Sequence, residues 1–197
     1  MFIVDNAFPT FLFKSIKEKV TDNRFDWYYI PYTGFHHAEG DTKRQNYHFS
    51  HTCYGPRITP IHKEIIMGFT SALKRVNIEL SEIFRIRINL IPSVSDTSFI
   101  SDAHIDNNAP HKNAILYLND SEDGGTLIYN ERYDPDENLT ASEQYLKIVK
   151  NNFSVLQEVI PKENRMVIFD GYHYHASTTP SKIKARFAIN INFTTAT

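Results

Sequence analysis

Cysteine is nearly absent from this 197-residue chain. Cys53 stands alone, so no disulfide can form within the chain and a cysteine-based zinc ribbon is excluded. Glycine and proline are sparse too, at 7 and 9, and no Gly/Ser- or Pro-rich linker divides the sequence, which predicts a single domain over 1–197. No stretch approaches the roughly 18 consecutive apolar residues of a membrane helix. The Phe-rich start, MFIVDNAFPTFLFKSIKEKV, is interrupted by Asp5 and has neither a basic lead nor a small-residue cleavage site, unlike a signal peptide. A reducing, cytoplasmic setting without a membrane partner is therefore expected. Charge of one sign is lacking as well, with 21 Lys and Arg against 23 Asp and Glu. A protein that coats nucleic acid normally carries a basic excess to replace phosphate counterions, so a nucleic-acid partner is disfavoured. What the chain does hold is 41% hydrophobic residues, including 14 Phe and 11 Tyr, enough for an ordered core.

Phe11, Leu12, Ile16 and Val20 follow Pro9 at near-helical spacing and predict a short helix. From Pro60 to Leu80, Ile61, Ile65, Phe69, Leu73, Val76 and Leu80 form one apolar stripe, the mark of a helix lying on a sheet. Between these helices, residues 24–59 carry Trp27, Tyr28, Tyr29, Tyr32, His36, His37, His48, His51 and Tyr54 without a clear period, so irregular strands and loops are expected. From Phe84 the period falls to two. Phe84, Ile86, Ile88 and Leu90 alternate with Arg85, Arg87 and Asn89, as in a half-buried strand. Further strands are predicted over 98–106, 113–118, 126–129, 154–159, 166–169 and 186–193. Turn signals at Asp123-Gly124-Gly125 and Asp170-Gly171 fit an antiparallel barrel or sandwich. Residues 131–153, polar and then helix-compatible from Ser142 to Lys150, look like an insertion between strands, a frequent place for function.

His104-Ile105-Asp106 is the sharpest local feature. On an extended strand, positions i and i+2 share a face, so His104 and Asp106 can converge on one ion while Ile105 packs on the other side. Downstream, an apolar run ends in Asp170-Gly171 and is followed by His173, His175 and Arg186. Two imidazoles and one carboxylate are the ligand set of a facial triad for non-haem ferrous iron, and the planar fork of Arg186 suits a carboxylate better than a lysine would.

With these pieces in order, the sequence resembles the 2-oxoglutarate and iron(II)-dependent dioxygenases, in particular their prolyl-hydroxylase-like branch. The matching elements are His104-Ile105-Asp106, Tyr117-Leu118-Asn119, Gly124-Gly125-Thr126-Leu127, Asn164-Arg165-Met166-Val167-Ile168-Phe169, His175 and Arg186. The resemblance implies a mainly β fold with flanking helices, a double-stranded β-helix of the jelly-roll or cupin-like kind. Its core would span 84–193, with 1–83 as N-terminal support. It implies iron ligation by His104, Asp106 and His175, with Arg186 and the Tyr117 hydroxyl on the distal carboxylate of 2-oxoglutarate. Fe(II), 2-oxoglutarate and dioxygen follow as cofactor and co-substrates, with ascorbate an optional accessory. His175 is preferred to His173 because its eleven-residue step to Arg186 fits the family.

The implied reaction is hydroxylation of a C–H bond with decarboxylation of 2-oxoglutarate to succinate, with prolyl 4-hydroxylase-like action on a peptidyl substrate leading and a small molecule as the other option. A carboxylate at 106 argues against halogenation, for which related enzymes carry a small residue there. The nucleic-acid demethylase branch has a second arginine shortly after the first, and none lies between Phe187 and Thr197. Two rival readings are a zinc-dependent hydrolase on the same ligands and a non-catalytic cupin-like binding module. His48-x-x-His51 lacks a completing carboxylate, so these histidines read as surface or packing residues. Tyr47, His48 and Tyr54 are weak substrate-side candidates, and His111 reads as a residue of an exposed loop.

Overall fold

Alternation along two long strands decides the layering. In the computed structural model, which describes residues 1–31, 47–137, 140, 143, 147 and 153–196, β4 (Leu80–Pro92) pairs antiparallel with β10 (Ala185–Thr195). Their register sets Ile88 beside Ile189 and Ile86 beside Ile191. All four isoleucines are fully buried, on the face covered by α1 (Thr10–Thr21) and α2 (His62–Arg75) through Ile16, Ile65 and Phe69. Each such side chain contributes about 1.5–3 kcal/mol on burial. The opposite parity, Arg85, Arg87 and Asn89 on β4 with Asn192, Asn190 and Ala188 beside them on β10, therefore faces inward, toward the second sheet.

The larger sheet runs β1 (Phe2–Val4), β8 (Met166–Asp170), β5 (Lys112–Tyr117), β10, β4, β3 (His48–Tyr54), β2 (Tyr28–Ile30). The smaller runs β7 (Val155–Val159), β6 (Thr126–Arg132), β9 (His173–Ser177). Every pairing is antiparallel, and the two sheets enclose the inward residues as a double-stranded β-helix. Among the described residues no helix is long and apolar enough to cross a membrane.

Several expectations shift. Phe11 is 69% exposed and Phe13 takes its place in the core, because the buried face of α1 runs through 12, 13, 16 and 20. The second helix stops at Arg75, since Asn77 adopts a left-handed φ of 53° that a helix cannot continue through; Leu80 instead opens β4. The strand expected over 98–106 is reduced to single bridges, Ile100 to Thr178 and His104 to His175. The short β1 went unforeseen. Tyr32, His36 and His37 lie outside the described residues, as does most of the helix expected at 142–150, of which Glu143 and Lys147 are described and helical.

The Asn164-Arg165 pair has a structural task that the spacing alone did not reveal. Asn164 is buried with φ 59°, and its amide accepts from the Phe8 N–H and donates to the Phe8 carbonyl, both at 2.9 Å. Arg165 holds Asp5 through Nε and Nη2 at 2.7 and 3.1 Å. Together they clamp the N-terminal segment to the start of β8. Asn164→Ala leaves both Phe8 backbone groups unpaired, at about 1–3 kcal/mol each, so urea unfolding should show a loss of about 3 kcal/mol; a loss below about 1 kcal/mol would dismiss the clamp. The hydrogen bonds from Arg165 and then Lys162 pull the Asp5 carboxyl from its ordinary 3.8 down to about 2. A depressed carboxyl contributes stability above its unfolded pKa and loses it as the pH falls toward the folded one. Asp5→Asn should thus be less stable than the natural chain at pH 6 and equal to it near pH 2, and a deficit independent of pH would contradict this.

Candidate active site

The inward faces of both sheets meet at His104, Asp106 and His175. One ligand atom from each lies within 4.8 Å of the others, the one such group among the described residues. His104 and His175 are held together by reciprocal backbone hydrogen bonds of 2.9 Å. The Nδ1 of His104 faces the Asp102 carbonyl at 3.0 Å and that of His175 the His173 carbonyl at 3.3 Å, which leaves Nε2 of each ring for the site. Burial, reinforced by the His104 charge, draws His175 down to about 4, so its imidazole is neutral and able to bind a metal at pH 7.

Asp106 is almost fully buried. Burial alone would raise its pKa, but Arg85, followed by His175 and His104, outweighs that and holds the carboxyl well below the usual range. Arg85 Nη2 reaches Oδ1 at 2.6 Å, and Asn190 and Asn192 each donate to Oδ2 at 2.9 Å. Oδ2 also lies 3.8 Å from His175 Nε2. An ionised carboxylate and two imidazole Nε2 atoms converging on one buried point fit a divalent metal of the iron class.

These ligands line a cavity of about 330 Å³ together with His48, Arg87, Asn89, Thr126, Arg186 and Asn190. Arg186 is 4% exposed and has no carboxylate partner among the described residues. Its Nη1 donates to the Gly124 and Gly125 carbonyls at 2.6 Å, while Nε is buried without a partner. The turn that offers those carbonyls needs both glycines. Gly124 has φ 70°, and a Cβ there would meet the Pro180 backbone at 2.8 Å; a Cβ on Gly125 would meet the Val159 carbonyl at 2.6 Å.

Tyr117, expected on the distal carboxylate of 2-oxoglutarate, is placed beside Arg186. It lies in the interior, with the Arg186 guanidinium carbon 5.9 Å above its ring, but it does not line the cavity. Its hydroxyl donates to Thr126 Oγ1 at 2.7 Å and lies 3.2 Å from the Val159 carbonyl, because β6 and β7 crowd over it. His173 is turned elsewhere, with Nδ1 on the Tyr129 carbonyl and Nε2 beside Arg132. His111 is buried against Gly171 rather than exposed. His51 is packed between the Asp26 carbonyl and Thr59, whereas His48 reaches the cavity. Arg85, Arg87, Asn89, Asn190 and Asn192 were missed. The parity of Arg186 was the available signal, since a period of two puts Asn190 and Asn192 on the same face.

The chain belongs to the 2OG-Fe(II) oxygenase superfamily, whose family model matches residues 93–194. It is thus an oxidoreductase of a family that uses Fe(II), 2-oxoglutarate and dioxygen, which displaces the hydrolase and binding-module readings. No curated protein matches its sequence. Among solved structures, a prolyl hydroxylase from Trichoplax adhaerens, in complex with a hypoxia inducible factor peptide fragment, superposes with a TM-score of 0.60 at 13% identity, covering 98% of this chain and 82% of that one. A prolyl-4-hydroxylase from Pseudomonas putida gives 0.55 at 11%, over 98% and 91%. The carbocyclase SnoK of nogalamycin biosynthesis gives 0.64 at 9%, over 97% and 78%. At these identities the likeness is one of fold.

Removing Arg85 strands a buried carboxylate, a change that costs about 3–5 kcal/mol when one partner of a buried ion pair is lost. Arg85→Ala should therefore lower the melting temperature of the metal-free protein, and manganese(II) should raise it by more than in the natural chain, because the cation supplies the missing countercharge. Equal metal-induced shifts in both proteins would refute this account of Asp106.

Proposed function

We propose that this protein hydroxylates a C–H bond of its substrate, with His104, Asp106 and His175 as the iron ligands and Arg186 as the receptor for the distal carboxylate of 2-oxoglutarate. The observation that carries this reading is the shared cavity, in which a three-ligand cluster and a buried guanidinium without a carboxylate partner face the same space. Iron with 2-oxoglutarate, when bound, supplies the dioxygen-dependent oxidising chemistry.

The chain's own residues do the positioning. The backbone carbonyls of Asp102 and His173 fix the two rings. Arg85, Asn190 and Asn192 keep Asp106 ionised and oriented. Gly124 and Gly125 hold one edge of Arg186 while Nε remains for a bound anion, the bidentate edge a carboxylate prefers. Ile91 and Ile115 give the cavity an apolar flank alongside these groups. The carboxylate at 106 takes the place a halide would need, which favours hydroxylation over halogenation. Likeness to two prolyl hydroxylases supports a prolyl-type substrate, peptidyl or small, and ascorbate would serve as an accessory reductant.

The test is spectroscopic first. Anaerobic ferrous protein titrated with 2-oxoglutarate should develop the visible charge-transfer band of bidentate chelation, and the band should vanish in His104→Ala, Asp106→Ala and His175→Ala. It should persist in His173→Ala. Arg186→Ala should weaken 2-oxoglutarate binding by about 2–5 kcal/mol, the range for losing one partner of a buried charge pair. A well-folded, iron-loaded protein without the band would overturn the proposal.

A further inference from the structure

A second cation without an ion-pair partner among the described residues lines the cavity. Arg87 projects from β4 on the inward parity, next to Asn190 across the β4–β10 ladder, and lines the same space as the ligand cluster. Its Nε is buried with no hydrogen-bond partner, as are Asn89 Oδ1 and Asn190 Oδ1 nearby. No ion pair or hydrogen bond engages its guanidinium among the described residues. Arg85, two positions away on the same face, is occupied with Asp106.

A charge count shows what Arg87 is for. Arg85 and Asp106 offset each other. A divalent iron ion, Arg186 and Arg87 then leave four positive charges, and 2-oxoglutarate brings two negative ones, one carboxylate to the metal and one to Arg186. Two positive charges remain, one at the metal and one on half-buried Arg87, whose buried Nε has no partner among the described residues and offers an edge shaped for a planar oxyanion. A half-buried guanidinium whose Nε is shut off from water without a partner is destabilising until a ligand completes it.

We propose that Arg87 receives a carboxylate of the primary substrate, so that the molecule oxidised is a small organic acid, such as a free amino acid, rather than the interior of a neutral peptide. The inference rests on the function proposed above, because the count assumes iron and 2-oxoglutarate in their places. Asn89, the neighbour of Ala188 on the ladder, lies on the same side of the cavity and offers its Oδ1 to a donor group of the same ligand.

The test uses manganese(II) as a redox-silent metal, saturating 2-oxoglutarate, and propionate and propionamide as probes of equal shape that differ in charge, followed by calorimetry. The natural chain should bind propionate at least tenfold more tightly than propionamide. Arg87→Gln should abolish that preference while leaving the 2-oxoglutarate dissociation constant within twofold, and Arg87→Lys should keep part of it. Because Arg87→Gln removes a half-buried charge without an ion-pair partner among the described residues, it should melt no lower than the natural chain. Equal binding of the two probes by the natural chain, or an undiminished preference in Arg87→Gln, would overturn the proposal. So would loss of 2-oxoglutarate in Arg87→Gln but not in Arg186→Gln, which would make Arg87 the co-substrate arginine. If the natural chain binds no 2-oxoglutarate at all, the proposed function falls. Arg87 is then read separately with manganese(II) alone: Arg186→Gln should still prefer propionate and the double variant should not, and equal behaviour of the two would overturn the assignment.

Discussion

A single buried carboxylate sets the terms for the rest of the molecule. Asp106 is ionised in a place where burial opposes ionisation, and Arg85, Asn190 and Asn192 make this possible by direct contact. Those three side chains reach it together because the β4–β10 register sets Asn192 beside Arg85 and Asn190 beside Arg87. A slip of one residue would turn every one of them outward and bring the isoleucines into the cavity. The apolar parity guards against that slip, since Ile86, Ile88, Ile189 and Ile191 are fully buried under the two helices. Core packing on one face of the sheet thus determines electrostatics on the other.

Much of this could be read in the sequence, and the reasons why differ between fold and site. Period-two alternation announced β4 and β10, and the apolar stripe announced α2, because burial on one face leaves a period. The pair His104 and Asp106 was legible from strand geometry, although the segment forms only an isolated bridge there; one bridge to His175 suffices to extend the backbone locally. What the sequence concealed was the destination of the polar faces. Arg85, Arg87 and Asn89 read as solvent-facing, since a half-buried strand and a strand buried on both sides by helices and by a polar cavity share the same pattern. Only the pairing of β4 with β10, a contact across roughly a hundred residues of chain, distinguishes them. Tyr117 illustrates the opposite limit. Its spacing fits a ligand contact, but the closeness of Thr126 and Val159, which no local pattern encodes, takes up its hydroxyl.

The two sheets divide the work around Arg186. The strand β10 carries the side chain, while the turn entering β6 presents two backbone carbonyls to it. Carbonyls orient a guanidinium without neutralising it, which a carboxylate would do. The charge is therefore preserved for a ligand, and the close approach of that turn to Pro180 and Val159 makes glycine necessary at both positions. Gly124-Gly125 thus positions Arg186 as well as forming a turn, although neither residue has a side chain to show for it.

Guanidinium groups turned away from water without a carboxylate oppose folding, so a barrel that holds buried Arg186 and half-buried Arg87, neither with a carboxylate partner among the described residues, draws its stability from elsewhere. The fully buried Ile16, Ile65, Phe69, Ile86, Ile189 and Phe193 lie in the cluster between the larger sheet and its helices, across the sheet from the cavity. Separating a well-packed apolar layer from an under-satisfied polar one lets each be arranged for its own purpose. Four of the seven orphaned buried polar atoms among the described residues belong to the cavity-lining Arg87, Asn89, Arg186 and Asn190, and the other three to His111, Asn113 and Tyr174; each of the four is a group that anionic or hydrogen-bonding ligands would complete. Groups left incomplete in this way are a recognised feature of binding sites. Ligand binding in such a cavity does more than fill space, since it relieves an electrostatic penalty of the free protein and so should tie substrate affinity directly to stability.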